Sequence, residues 1–112
     1  REPAEHRPEP PPPLPPGQHW DALVDFASDG DAEAQFQVAS AYQHGGGVVA
    51  GFAGPRSAKE AAKWYRWAAD QGHAKAQFNL ALLLEFGAPG VAVDLEEAAW
   101  LYEKAAVQGH AK

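Results

Sequence analysis

One phrase is written twice in this chain, and its opening is written a third time. Asp31-Ala-Glu-Ala-Gln-Phe36 returns as His73-Ala-Lys-Ala-Gln-Phe78 and starts again as His110-Ala-Lys112. Likewise Lys59-Glu-Ala-Ala-Lys-Trp-Tyr-Arg-Trp-Ala-Ala-Asp-Gln-Gly72 returns as Glu96-Glu-Ala-Ala-Trp-Leu-Tyr-Glu-Lys-Ala-Ala-Val-Gln-Gly109. Self-similarity at such a period means stacked supersecondary units rather than one closed globule. Stacks of this kind work mainly through their surfaces, as binding proteins.

The repeated text is helical in character. It is rich in Ala and the chain has neither Thr nor Ile, which favours helix over sheet. Two helices are expected per unit: a first helix over 32–44 and again over 74–86, a second over 58–70 and again over 95–107. Ser57-Ala-Lys-Glu60 and Asp94-Leu-Glu-Glu97 each place a capping oxygen three residues ahead of a glutamate, the pattern of a capping box. Gly72 and Gly109 fall where a left-handed residue ends a helix, and Asp31, His73 and His110 then cap the helix that follows. So tight a turn forces the two helices to run antiparallel.

These limits divide the chain. Residues 1–17 hold eight of the ten prolines and are expected to be an extended, polyproline-II segment, with Leu14 as its one apolar anchor. Residues 18–30 read as a single capping helix, a half-unit, because Phe26–Gly30 aligns with Ala105–Gly109. The first full unit covers 31–71, with a long inter-helix loop at 45–57, and the second covers 72–108. Residues 109–112 begin a third. The units differ in length: 42 positions separate Phe36 from Phe78, but 37 separate Tyr65 from Tyr102. The excess lies in the first loop.

At this point the chain resembles the Sel1-like repeat family, a relative of the tetratricopeptide repeat. The matching pieces are Ala-x-Ala-Gln-Phe in the first helix, Gly87-x-x-Gly-Val-x-x-Asp94 in the loop, and the run from Ala98 through Tyr102-Glu-Lys-Ala-Ala to His110. The likeness spans about residues 18–112. It implies an all-α fold, an α/α superhelix or solenoid of helix-turn-helix repeats preceded by the proline-rich segment. It also implies a scaffold for protein complexes, in bacterial envelope or signalling systems or in eukaryotic organelles, without catalytic residues. Where the family has a small Gly early in the first helix, this chain has Ala39 and Ala81. Ser57 stands in for the family's loop Asp.

Chemistry is poorly represented in the sequence. Cys is absent, and Ser28 and Ser57 sit at helix boundaries, leaving Ser40 mid-helix with no evident base. His73 and His110 occupy equivalent points of successive units and are not expected to share a metal, because stacked helices alone are ~8–10 Å apart. Gly45-Gly-Gly-Val-Val-Ala50 matches a dinucleotide-loop pattern but follows a helix where that loop needs a strand. No cofactor, metal or enzymatic activity is expected. A net charge of −6 argues against nucleic acid, and no run approaches the length of a membrane span. With no Met, Arg1 is not a translation start, and the chain reads as a processed product or an excised piece.

The expected function is therefore adaptor-like binding of a partner protein or peptide. The alternatives are a structural subunit of a larger assembly anchored by the proline tail, or self-association through an uncovered C-terminal end. The mismatches between the two copies name the candidate contacts. Trp67 stands where the second copy has Lys104, and Trp100 where the first has Lys63, both away from the Ala/Tyr face formed by Ala61, Tyr65 and Ala68. Phe78-Asn-Leu-Ala-Leu-Leu-Leu-Glu-Phe86 leaves almost no polar face, so Leu82, Leu83 and Phe86 are expected to meet a partner, another copy or a following repeat. Leu14 completes the set.

Overall fold

The computed structural model describes residues 19–45 and 56–108. They form five α-helices: α1 (His19–Ser28), α2 (Ala32–His44), α3 (Ala58–Asp70), α4 (Ala74–Phe86) and α5 (Leu95–Val107). The structure is all-α, and the four repeat helices begin and end where the capping pattern places them. The expectations for the proline tail and Leu14, for most of the 45–57 loop, and for Gly109 and His110 lie outside the described residues.

The start of each of the four repeat helices is held by a side chain. Ser57 Oγ accepts from the Glu60 amide at 3.1 Å and Asp94 Oδ1 from the Glu97 amide at 3.0 Å. Asp31 Oδ1 accepts from Glu33 and Ala34, and His73 Nδ1 accepts from Ala76 at 3.1 Å. The capping box is only half made. Glu60 turns to Lys63 and Glu97 to Arg66, while the cap amides go elsewhere: Ser57 N–H donates to Tyr42 O and Asp94 N–H to Leu84 O, both at 2.8 Å. Those two bonds tie the start of each second helix to the end of its own first helix.

The turns between units have one geometry. Gly72 N–H donates to Ala69 O and His73 N–H to Ala68 O, the paired bonds of a Schellman motif, with Gly72 at φ +92°. Gly30 and Asp31 make the same bonds to Ala27 and Phe26. Thus α1 enters α2 as α3 enters α4.

Helices pack on their chain neighbours, α1 on α2 through to α4 on α5, as in a solenoid. One buried cluster joins α2 to α5 through Ala39, Ala61, Tyr65, Leu80, Ala81 and Leu101; a second, of Ala27, Ala34 and Val38, seats α1. The first helices bury matched positions, Ala34, Gln35, Val38, Ala39 and Ala41 in α2 and Ala76, Gln77, Leu80, Ala81 and Leu83 in α4. Ala39 and Ala81 are fully buried, so the methyl group that replaces the family's Gly fits the helix contact.

Candidate functional site

A groove of about 710 Å³ has one wall from α3 and the other from the α4–α5 loop. On α3, Lys59, Lys63, Arg66 and Asp70 follow one another at helical spacing with Ala62 and Trp67 beside them. The opposite wall is Gly90 to Asp94, with Leu84 and Glu97 completing the lining.

Loop geometry sets this wall. Ala88 and Val91 exchange backbone hydrogen bonds at 3.0 and 2.8 Å, closing a tight turn in which Gly90 takes φ +80°. A Cβ on Gly90 would lie 3.0 Å from Lys59 Cβ, so the loop rests directly on α3. Val91 packs against the core. Across the groove the Arg66 guanidinium donates to both carboxylate oxygens of Glu97, a bidentate clamp between the two walls. The Glu97 hydrogen bond and charge raise Arg66 above its ordinary value.

Trp67 is the aromatic side chain of the groove. It is 44% exposed and stacks on Trp64, with centroids 5.4 Å apart and planes 24° apart. Trp64 is half-buried and packs against both clusters, so it fixes the platform from below. Trp100 is 52% exposed but stands outside the groove, with Lys104 Nζ 4.3 Å from its ring centre. The two mismatched tryptophans therefore do not form one patch.

The apolar α4 helix divides. Leu83, at 8% exposure, belongs to the core cluster and is no surface residue; it occupies the position of buried Ala41 in the first unit. Leu82 is half-buried and Phe86 is 73% exposed. The expectation that the helix must be covered on all sides is met on the sides facing α3 and α5, and Phe86 lies beyond them. Phe78 meets Tyr102 edge-on at 5.5 Å.

The tyrosines show the difference between the units. Tyr65 is fully buried, donates to Gln43 Oε1 at 2.6 Å, accepts from Asn79 Nδ2 at 3.3 Å, and lies 3.3 Å from Ser40 Oγ. That contact takes up the mid-helix hydroxyl. Burial raises the Tyr65 phenol. Its counterpart Tyr102 is half-buried and donates to Glu85 Oε1 at 2.6 Å. Burial, then the Glu85 carboxylate, push it up to about 12.

Polar residues that sequence reasoning passed over hold the units together. Gln35 and Gln77 are buried, and each donates its side-chain amide to the last turn of the preceding helix, Gln35 to Ala27 O and Gln77 to Ala69 O. The signal was present, since glutamine recurs at the same place in both copies. His73 pairs with Glu33 at 2.7 Å and stacks on Phe36 at 4.9 Å. With Nδ1 accepting from Ala76, the proton sits on Nε2 and points at Glu33. Among the described residues no group of acidic, His or Cys side chains could hold a metal ion, and no helix is long and apolar enough to cross a membrane.

Comparison with known proteins follows the same lines. No curated protein matches the chain significantly. Among solved structures, the chain is similar to c5321, a protective antigen present in uropathogenic Escherichia coli strains and displaying an SLR fold. Identity is 31%, TM-score 0.69, and the match covers 83% of this chain and 19% of that one. It is also similar to a Sel1 repeat protein from Oxalobacter formigenes, at 33% identity and TM-score 0.66, covering 83% of this chain and 36% of that one. The chain thus spans a minor part of either relative. The Sel1 repeat model matches residues 32–73 and 74–110, one match for each pair of helices described above. With most of its length in these two matches, the chain belongs to the Sel1 repeat family.

Proposed function

We propose that this chain is a protein-interaction module that grips an extended peptide segment of a partner in the groove between α3 and the α4–α5 loop, with Trp67 as anchor. Sel1 repeats generally serve protein interaction, which supports the class. The observation that carries the site is Trp67 itself: a large indole left 44% exposed on an apolar-lined concavity, braced by a second indole. Trp is enriched among binding hot spots, and Trp64 behind it limits the entropy lost on binding. A net charge of −6 favours a protein partner over nucleic acid. No catalytic step belongs to this proposal.

Panning a displayed peptide library on the immobilised chain tests it. Enriched peptides should lose roughly tenfold or more in affinity on Trp67→Ala, the scale of a hot-spot truncation, and bind Trp100→Ala normally. No enrichment, or peptides indifferent to Trp67, would overturn the site.

A second reading, association of two copies through α5, is favoured by one comparison. Tyr65 and Ala69 of α3 are covered, whereas the equivalent Tyr102 and Ala106 of α5 are half-buried and exposed. Sedimentation of the chain against Tyr102→Lys decides it: a dimer that the variant dissolves supports it, and a monomer in both removes it.

A further inference from the structure

The proposed groove leaves its occupant unnamed, and the chain itself carries a segment of matching chemistry. Residues 8–16 read Pro-Glu-Pro-Pro-Pro-Pro-Leu-Pro-Pro. We infer that the Trp67 groove takes a proline-rich extended segment, and that its resident occupant is Glu9–Leu14 of the same molecule. The inference rests on the groove being a peptide site.

Three features of the groove suit that segment. First, proline rings pack flat on exposed indoles, and a polyproline II strand is already extended, so little backbone entropy is lost on docking. Trp67 offers such a surface, and Ala62, Val91 and Val93 give it apolar flanks. Second, Lys59 and Lys63 stand next to each other on the α3 wall of the groove. Lys63, with a side chain 66% exposed, reaches only Glu60 at 3.4 Å, and Lys59 has no ion pair among the described residues. Glu9, set among prolines, supplies a carboxylate of opposite sign.

Third, the segment can reach. Trp20, at the start of α1, packs on the buried group Ala27, Ala34 and Val38, and Trp64 packs on the same group. Trp64 in turn stacks on Trp67. The beginning of α1 and Trp64 therefore sit against one small buried group, and Trp67 lies on Trp64. At ~3.1 Å per residue, the stretch between Glu9 and His19 spans up to ~30 Å, against helix spacings of ~8–10 Å. A tether this short gives an effective concentration on the order of millimolar, so even weak contact fills the site. A partner peptide then binds by displacing the tail.

A benzophenone side chain installed at Leu14 of the full chain, followed by irradiation and mass mapping, tests this. Cross-links are expected within one molecule, to residues 59–67 or 90–94. They should fall roughly tenfold on Trp67→Ala, as a lost hot-spot contact implies. Lys59→Glu with Lys63→Glu, two surface changes that leave the core untouched, should lower them as well, while Trp100→Ala should not. Circular dichroism confirms that each variant keeps its helices. Cross-links elsewhere on the fold, between two copies, or insensitive to Trp67→Ala would overturn the tail as occupant. If library peptides still depend on Trp67 in that case, the groove stands and only its resident is wrong.

Discussion

Gln71 Nε2 donates to Gln35 Oε1 at 2.8 Å, and Gln35 Nε2 donates in turn to Ala27 O at 3.0 Å. One buried amide thus joins the end of α1, the body of α2 and the end of α3. The same relay is built again one unit later: Gln108 donates to Gln77 at 3.0 Å, and Gln77 donates to Ala69 O at 3.2 Å. Apolar packing has no direction, but an amide satisfied at both ends fixes how far one helix pair can slide past the next.

Gln77→Leu keeps the volume and removes the relay. It leaves Ala69 O without its side-chain donor and Gln108 without its acceptor. The loss should be about 1–2 kcal/mol, the net worth of the two hydrogen bonds, because Ala69 O still accepts from Gly72 N–H and Gln108 is exposed. Urea unfolding of the variant measures it, and an unchanged midpoint would show the relay to be energetically idle.

Leu83 and Phe86 are three residues apart on one apolar helix, and the same substitution separates them. Leu83→Lys puts an ammonium into the core and should cost more than about 3 kcal/mol. Phe86→Lys changes a side chain that is 73% exposed at the end of α4, where a cation suits the helix dipole. Its effect should stay within about 1 kcal/mol. Thermal melts of the two variants compare them directly.

Gly90→Ala should loosen the groove wall. The residue has φ +80°, and the added methyl would press on Lys59 Cβ. A cost of about 1–2 kcal/mol is expected from the backbone alone. Faster amide exchange at Val91 and Val93 than at α2 would place the loosening in the loop.

Glu33 gives a pH signature. Its carboxyl is held below its ordinary value, chiefly by the His73 hydrogen bond. A depressed acid stabilises the fold above its unfolded pKa, about 4.3, and that contribution disappears as pH falls through the lower folded value. Wild type should therefore exceed Glu33→Gln in stability at pH 7, and the gap should close by pH 3. The carboxylate is 58% exposed, so the gap should be under about 1 kcal/mol. A gap that persists at pH 3 would assign the effect to something other than ionised Glu33.

Helix limits were legible because each is decided within a few residues. Ser57, Asp94, Asp31 and His73 reach amides two or three positions ahead, and Gly72 and His73 close the helix before them on carbonyls three and five residues back. Repetition of the sequence then fixed the all-α stack, since equal text makes equal turns. Which apolar residues face inward could not be read the same way. A helix with leucine on nearly every side gives periodicity no contrast, so Leu83 and Phe86 looked alike until α3 and α5 were in place. The groove is likewise a product of two segments distant in sequence, joined where Gly90 meets Lys59. Sequence settled what short-range hydrogen bonding determines: the helices, their caps and their family. Tertiary packing alone decided which faces neighbouring helices cover, because coverage depends on residues distant in the chain, and that coverage is what leaves Trp67 open.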